Sequence, residues 1–402
     1  MLHPDPFGLL MMAQAIGFYA VVLVEYGFNL TGVRAAALSR DKPADLSALI
    51  VGVGMTRLLI ALALACGLAL VAELGHIDGD LSLLLIVGFT SALGSALQPL
   101  WLLQGLELFP LMSMVQLLSR LVCLGSIFFV VRTPGDLLTA QLLMSAPFLV
   151  SSLILVPVAH RWFHAANDTL SLSRILGLVA HHLRSGWNVF LSQVATTLFT
   201  STNTLVLGSM LGPAAAGNYA VADRLVRGVA MLTTPVTDAI YPRLVAALRH
   251  DLAQALVFAR RVLWTGVGVL AAAGAAIVLM SGLIASIMGP PSGQRAIALS
   301  LAIMAFNPMA VYANNIFGTQ VLLGLGHEST FRNIVLVSGA TVPCSCYLLT
   351  PWLGFIGAPV GATLGELAIL TGMLVASQRA VGHRWAFLSP SAEPHQRSAD
   401  RG

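Results

Sequence analysis

Four arginines, Arg57, Arg120, Arg224 and Arg227, stand well inside runs of residues that are otherwise apolar. A guanidinium stays charged and presents a planar fork that grips carboxylate or phosphate oxygens two at a time. At the centre of a bilayer each such charge costs about 2.5–3.5 kcal/mol on insertion scales, so four cost on the order of 10 kcal/mol. Facing a wet cavity removes most of that cost, and an anionic ligand is the partner these groups would serve. Ser113, Gln116 and Arg120 follow helical spacing and form one polar stripe. Ser192, Thr196, Thr200 and Asn203 form a second, and Tyr312, Asn315 and Thr319 a third. Gln116, Thr200, Asn203, Tyr312 and Asn315 are the candidate polar lining of that cavity. Bonding between adjacent helices, common in membrane bundles, is the competing use of isolated Ser, Thr and Asn side chains.

Carboxylates share the environment. Asp223 lies four residues from Arg227, so the two can neutralise each other on one helix face. Arg57, Arg120 and Arg224 remain in surplus. Glu25, Asp223 and Glu366 are candidates for proton coupling, since carboxylates inside membranes are recurrent members of proton relays. Gln14, Glu25 and Asn29 are expected to share a face of the first span.

The elements that must hold these residues are membrane helices. Of 402 residues, 57% are apolar and 9% charged, whereas soluble domains carry roughly a quarter charged residues. Apolar runs of bilayer-crossing length recur near 6–31, 46–72, 81–105, 108–131, 136–159, 186–210, 213–242, 263–288, 296–323, 333–352 and 355–377. Helices are expected throughout, because every backbone group must find its partner within the segment. The expected fold is all-α, a polytopic integral membrane protein of about eleven spans.

Loop charge orients the chain. Arg34, Arg40, Lys42, Arg161, Arg174, Arg184, Arg243, Arg249, Arg260, Arg261, Arg332, Arg379, Arg384, Arg397 and Arg401 fall on one side, against Arg132 and Arg295 on the other. That asymmetry puts the C-terminus in the cytoplasm, and an odd span count then puts the N-terminus outside. The net charge of +4 comes from basic residues beside spans and is no sign of nucleic acid. Cys66, Cys123, Cys344 and Cys346 lie in apolar segments with neither a disulfide framework nor metal-ligand spacing, so they read as small core residues and no cofactor is expected.

The chain repeats itself at a fixed offset: Pro4 with Pro213, Gly8 with Gly217, Ala13 with Ala222, Arg34 with Arg243, and Arg40 with Arg249. The expected organisation is an N-terminal lobe over 1–165 with five spans, an amphipathic cytoplasmic linker over 166–185, a C-terminal lobe over 186–385 with six spans, and a disordered tail over 386–402. Repeated halves with a site between them are common in secondary transporters. A span precedes Pro213 and none precedes Pro4, so the first lobe reads as one helix short, through a start placed downstream or a truncation.

Several segments resemble the Wzx-type flippases of O-antigen and related polysaccharide units, within the MOP exporter superfamily. They are Glu25 to Arg34, Pro99 to Glu107, Trp187 to Gly208 with its core Phe199 to Thr204, Gly217 to Arg224, Tyr241 to Arg243, and Leu323 to Glu328. The likeness runs from Phe7 to Ala376. It implies a twelve-helix fold of two six-helix lobes around a cationic cavity, here lacking the first helix. It implies alternating-access transport of undecaprenyl-diphosphate-linked oligosaccharide from the cytoplasmic to the periplasmic leaflet of the bacterial inner membrane. Arg57, Arg120, Arg224 and Arg227 would then face the diphosphate or acidic sugars. Membrane lipids, a polysaccharide polymerase and a chain-length regulator are the further partners implied. Other readings are a multidrug or cation antiporter, a lipid II flippase, or a polymerase-type membrane enzyme. The last lacks an aqueous loop to hold catalytic groups, and no enzymatic activity is expected.

Overall fold

The computed structural model describes residues 4–74, 79–163 and 172–382, and among them every regular element is helical. The start of the expected linker and the expected tail lie outside the described residues.

In the first part of the chain the helices are α1 (Pro4–Glu25), α2 (Thr31–Leu38), α3 (Pro43–Glu73), α4 (Gly79–Leu97), α5 (Leu100–Gly105), α6 (Phe109–Val130), α7 (Leu137–Phe163) and α8 (Leu172–Leu211). Then come α9 (Pro213–Met231), α10 (Thr234–His250), α11 (Leu252–Met288), α12 (Gln294–Met304) and α13 (Asn307–Asn314), which runs into a π-helix at Asn315–Leu323. A hairpin of α14 (Glu328–Leu353) and α15 (Gly357–Val381) completes the chain. Eight helical stretches among the described residues are long and apolar enough to cross a bilayer, where the sequence reading counts about eleven spans. One of the eight, Glu328–Val381, runs through both arms of that hairpin. The expected spans near 186–210 and 213–242 fall on α8 and on α9 with α10.

Proline and glycine punctuate these helices. Pro43, Pro110, Pro235 and Pro308 sit in first turns, where the missing N–H costs nothing. The first expected span ends early. Tyr26 and Gly27 take left-handed φ values of 45° and 80°, so the helix stops at Glu25 and Asn29 does not continue its face. Interior proline is tolerated in a membrane helix when neighbours satisfy the freed carbonyls, as in α7 at Pro147 and Pro157.

The chain forms two compact units, residues 1–217 and 218–402. In the first, α1, α3, α4 and α7 make the interior. Gly94 of α4 lies against the backbone of Phe148 and Leu149 in α7; a Cβ there would stand 2.4 Å from the Leu149 nitrogen. Small residues let membrane helices close to this distance, where dispersion and Cα–H contacts hold them. α8 packs on α1 and α3 within this unit, although the repeat assigns it to the second half. Tyr19 bonds Thr202, Gln193 donates to Asn29 at 2.6 Å, and Tyr26 donates to the Leu183 carbonyl at 3.2 Å. The amphipathic stretch Leu172–Leu183 is continuous with the span that follows it.

The second unit has its core where α10, α11, α13, the π-helix and α15 meet, around Leu244, Leu263, Ile316, Phe317 and Met373. The α14–α15 hairpin closes through Gly357 and Gly361, packed on the backbone at Thr350 and Cys346. Cys123 and Cys346 are buried, but Cys66 and Cys344 are exposed. The core reading therefore holds for two of the four. Exposed Leu62, Leu117, Leu118, Leu121, Phe128, Leu279 and Trp352 are apolar surface of the kind lipid covers.

Candidate functional site

In the first unit the charged residues gather where α4 breaks. The carbonyl of Ser95 would normally receive the N–H of the residue four on, but that residue is Pro99, which has none. Arg57 of α3 reaches across instead. Its guanidinium donates to the Ser95 carbonyl at 2.5 Å and the Gln98 carbonyl at 2.8 Å, with a longer contact to Ser95 Oγ at 3.3 Å. Only 5% of Arg57 is exposed. Its Nε has no partner among the described residues, and Glu25 is a carboxylate within its electrostatic reach. Both terminal nitrogens of the guanidinium thus serve a broken helix end, through three contacts.

Arg120 differs. It is exposed, on α6, and among the described residues no hydrogen bond or ion pair engages it. A 22-residue helix is about 33 Å long, which puts Arg120 about 16 Å from its start, near the middle. Gln98, Gln116, Arg120, Pro147, Phe148 and Ser151 line one small recess, open on one side. Gln98 donates to Ser151, whose hydroxyl donates to the Pro147 carbonyl at 2.7 Å. Gln98 and Ser151 escaped the sequence reading; the Gln-Pro step at a helix break was the available signal.

The polar stripe of α8 turns partly on its own backbone. Thr196 donates to Ser192 O at 3.0 Å and Thr200 to Thr197 O at 3.3 Å, the back-bonding by which helices absorb hydroxyls. Asn203 is buried.

In the second unit Arg227 Nε meets Asp223 Oδ2 at 2.7 Å, the pair expected from their spacing. Glu366 of α15 lies within electrostatic reach of both, and accepts a hydrogen bond from Asn314 Nδ2 at 3.1 Å. The elements α9, α13 and α15 therefore bring two carboxylates and one guanidinium together. Arg224 is exposed beside them and feels Asp223. Counting Arg224 and Arg227 against Asp223 and Glu366, the cluster is formally neutral when both acids are charged, and a proton on Glu366 leaves one positive charge.

The stripe of Tyr312, Asn315 and Thr319 runs across a change of helix type. The helix changes from α to π at Asn315, and the wider turn shifts the register. Tyr312 is buried, donating to Val262 O at 3.0 Å, while Gln320 donates to Thr237 O at 2.9 Å and more weakly to Asn315. Asn314, not Asn315, reaches Glu366. Among the described residues no three His, Cys, Asp or Glu side chains are grouped to hold a metal.

A multi-pass helical membrane protein with buried glycine seams, broken helices and intramembrane charge is the class these features define. Its fold is that of MOP-superfamily transporters. The solved lipid II flippase MurJ, in an inward closed conformation, aligns over 94% of this chain and 86% of its own at a TM-score of 0.68 and 12% identity. An inward-facing multidrug resistance MATE family transporter aligns over 95% and 96% at 0.64 and 16% identity. The family described as "Polysaccharide biosynthesis protein" matches residues 1–247, and this chain belongs to it. The protein named "Putative O-antigen transporter" in Escherichia coli (strain K12) is 27% identical over 378 residues, 93% of this chain and 89% of its own. A protein of the same name in Shigella dysenteriae is 24% identical over 382 residues, 92% of this chain and 91% of its own.

Proposed function

We propose that this chain is a polysaccharide flippase. It moves an undecaprenyl-diphosphate-linked oligosaccharide, an O-antigen or exopolysaccharide repeat unit, across the bacterial inner membrane by alternating access, with its C-terminus in the cytoplasm. The observation that carries the reading is the exposure, within otherwise apolar helices, of Arg120 with no ion pair among the described residues and of Arg224 beside a charge-balanced cluster, where a guanidinium is costly unless an anion or water meets it. Both neighbourhoods lack a surplus of carboxylate, which suits a diphosphate and suits a cationic drug poorly. The likeness to the two O-antigen transporters supports the same substrate class.

In this account Arg224, with Arg227 held by Asp223, meets the substrate in the second unit, and the polar lining includes Gln116, Thr200 and Asn203. Glu366 shares Arg227 with Asp223, so protonation of Glu366 frees positive charge for the substrate and ties transport to a proton. Glu25 is the corresponding candidate in the first unit. No bond in the substrate is made or broken. A polymerase and a chain-length regulator would take the flipped unit on the far side.

The test is complementation. Deleting the gene in its host should remove surface polysaccharide and accumulate lipid-linked oligosaccharide on the cytoplasmic side, and the wild-type chain should reverse both. Arg224→Gln, present in the membrane at the wild-type level, should restore less than about a tenth, the loss of one charge-assisted contact. Full restoration by that variant would remove Arg224 from the site; no phenotype on deletion, in a host without a second such gene, would remove the flippase reading.

A further inference from the structure

Helix α1 ends where two residues in succession turn left-handed. Tyr26 has a φ of 45° and Gly27 a φ of 80°. Glycine takes that region freely; an L-residue does not, because its Cβ crowds the following carbonyl. A residue strained in this way persists only where its surroundings over-determine it. For Tyr26 those surroundings are on α8. Its ring stacks on Phe190, with centroids 4.4 Å apart and planes 13° from parallel, and its hydroxyl donates to the Leu183 carbonyl at 3.2 Å. Gly186 leaves the space: a Cβ there would stand 3.1 Å from the Tyr26 carbonyl oxygen and 3.2 Å from its ring Cδ1. Gly27 is as close to Val189, whose Cγ1 would stand 2.8 Å from a Cβ. Two residues on, Asn29 accepts from Gln193 at 2.6 Å.

The rest of the seam between α1 and α8 is helix on helix. Tyr19 donates to the Thr197 carbonyl at 3.4 Å and bonds Thr202, and Met12 covers Gly208, all from the unbroken stretch Pro4–Glu25. Only the end at residues 26–29 is held by side chains against the preference of their own backbone. Among the described residues, Tyr26 and Glu107 are the non-glycine residues with positive φ. Glu107 is exposed and Tyr26 is buried, so only at Tyr26 does tertiary packing hold the strain in place. One stacked ring and one neutral hydrogen bond stabilise a conformation whose backbone cost is of the same order. Closed and relaxed arrangements of the corner are therefore close in free energy, which is what a two-state element requires.

We propose that the Tyr26–Gly27 corner is a strained latch. Closed, it clamps α8 from Leu183 to Gln193 onto the end of α1. Released, the Tyr26 ring leaves Phe190, its backbone returns to the helical region, α1 extends toward α2, and the first half of α8 swings away. The polar stripe of α8 begins at Ser192, at the edge of the latch, so the movement changes access to that stripe from this end. In the orientation proposed above this is the cytoplasmic end, where substrate enters. That role rests on the flippase reading; the two-state corner does not.

Two measurements on the full chain test this, in a background with the four native cysteines replaced by alanine. In the first, spin labels on Arg34→Cys and Arg184→Cys, exposed on α2 and α8, report the distance across the corner in lipid nanodiscs. Two populations are expected, short and long. Tyr26→Phe should raise the ratio of long to short about fivefold, the loss of one neutral hydrogen bond. Tyr26→Ala should raise it further and exceed Tyr26→Gly by roughly 5- to 30-fold, because alanine keeps the backbone cost and glycine removes it. Helicity and size-exclusion profile select folded variants, and Tyr26→Phe carries the test if the truncations do not fold. A single short distance in the wild type and every folded variant, or alanine and glycine within about twofold of each other, would overturn the latch. In the second, Asn29→Cys and Gln193→Cys are bridged by a short reducible crosslinker, which locks the closed contact. Locked protein in vesicles should flip a fluorescent polyprenyl-diphosphate oligosaccharide no faster than protein-free vesicles do, and reductant should restore the rate. Flipping by locked protein at the reduced rate also defeats the proposal, since a static contact tolerates a bond across it. Two distances without flipping in either form keep the latch and sink the flippase reading; flipping with one distance sinks the latch alone.

Discussion

Arg57 and Arg120 are both intramembrane arginines of the same unit, yet their surroundings divide them sharply. Arg57 replaces the hydrogen bond that Pro99 takes from the Ser95 carbonyl and also caps the Gln98 carbonyl, so removing it leaves Ser95 O with the Gln98 N–H alone and strands the Gln98 carbonyl in a dry interior. Each orphaned buried group costs about 1–3 kcal/mol, and Arg57→Met should lower the unfolding midpoint of the purified protein and its level in the membrane. An unchanged midpoint would show that water or a neighbour supplies the donors. The use of Arg57 was not legible in the sequence: its acceptors lie 38 and 41 residues away, and only tertiary packing brings α3 to the broken end of α4. The Asp223–Arg227 pair was legible, because helical periodicity alone puts residues four apart within reach. Glu366 joins them from another helix and accepts a hydrogen bond from Asn314, 52 residues away, a contact no spacing rule announces.

His182 lies in the amphipathic beginning of α8, before the span over 186–210. Gly52 of α3 makes room for it; a Cβ there would stand 2.7 Å from His182 Nε2. Phe28 meets the ring edge-on, and Nε2 has no partner among the described residues. Burial pushes the imidazole below its ordinary range, and the neighbouring His181 pushes the same way. The packed state therefore prefers neutral His182. Above the ordinary value of about 6.5 this packing carries no penalty. As pH falls below that value, the unpacked state takes up the proton and the packed state resists it until its own lower pKa is reached. Amide exchange over 172–190, corrected for intrinsic rate, should speed up between pH 7.5 and 5.5, and His182→Phe should abolish that change. Equal protection at both pH values in the wild type would contradict it.

At the scale of elements, the first unit is held by seams of small residues more than by large side chains. Gly94→Val places a branched side chain into the backbone of α7, and overpacking of this kind costs typically 1–3 kcal/mol. The variant should accumulate poorly and melt earlier, while Gly54→Ala, whose Cβ would meet nothing within 4 Å, should behave as wild type. Equal stability for both would mean that α4 and α7 are free to separate. Helix positions were largely legible because hydrophobic length is a local property, although the first expected span outruns its helix and those near 186–210 and 213–242 fall on helices outside the eight stretches long and apolar enough to cross a bilayer. Which helices pack together was not. α8 follows the long connection and reads as the first element of the second half, yet it lies on α1 and α3. Tyr19–Thr202 and Asn29–Gln193, the contacts that hold it there, are separated by 183 and 164 residues, beyond any local pattern.

At the scale of the whole molecule, the chain is a member of the polysaccharide biosynthesis family with the fold of MOP transporters, and its intramembrane charge is arranged in two clusters, one per unit. The first is positive, around Arg57 and Arg120. The second is balanced, with Arg224 and Arg227 set against Asp223 and Glu366. A flippase needs an anion site that loads on one side and empties on the other, and a balanced cluster that one proton tips to positive is a means of changing affinity between the two. The most direct measurement is flipping itself: purified protein reconstituted into vesicles carrying a fluorescent polyprenyl-diphosphate oligosaccharide in the inner and outer leaflets, with the outer leaflet quenched. The account predicts that wild-type vesicles lose nearly all fluorescence as inner-leaflet substrate becomes accessible, and that Arg224→Gln vesicles retain the protected half. Protection of the inner leaflet by wild-type protein, equal to that in protein-free vesicles, would contradict it.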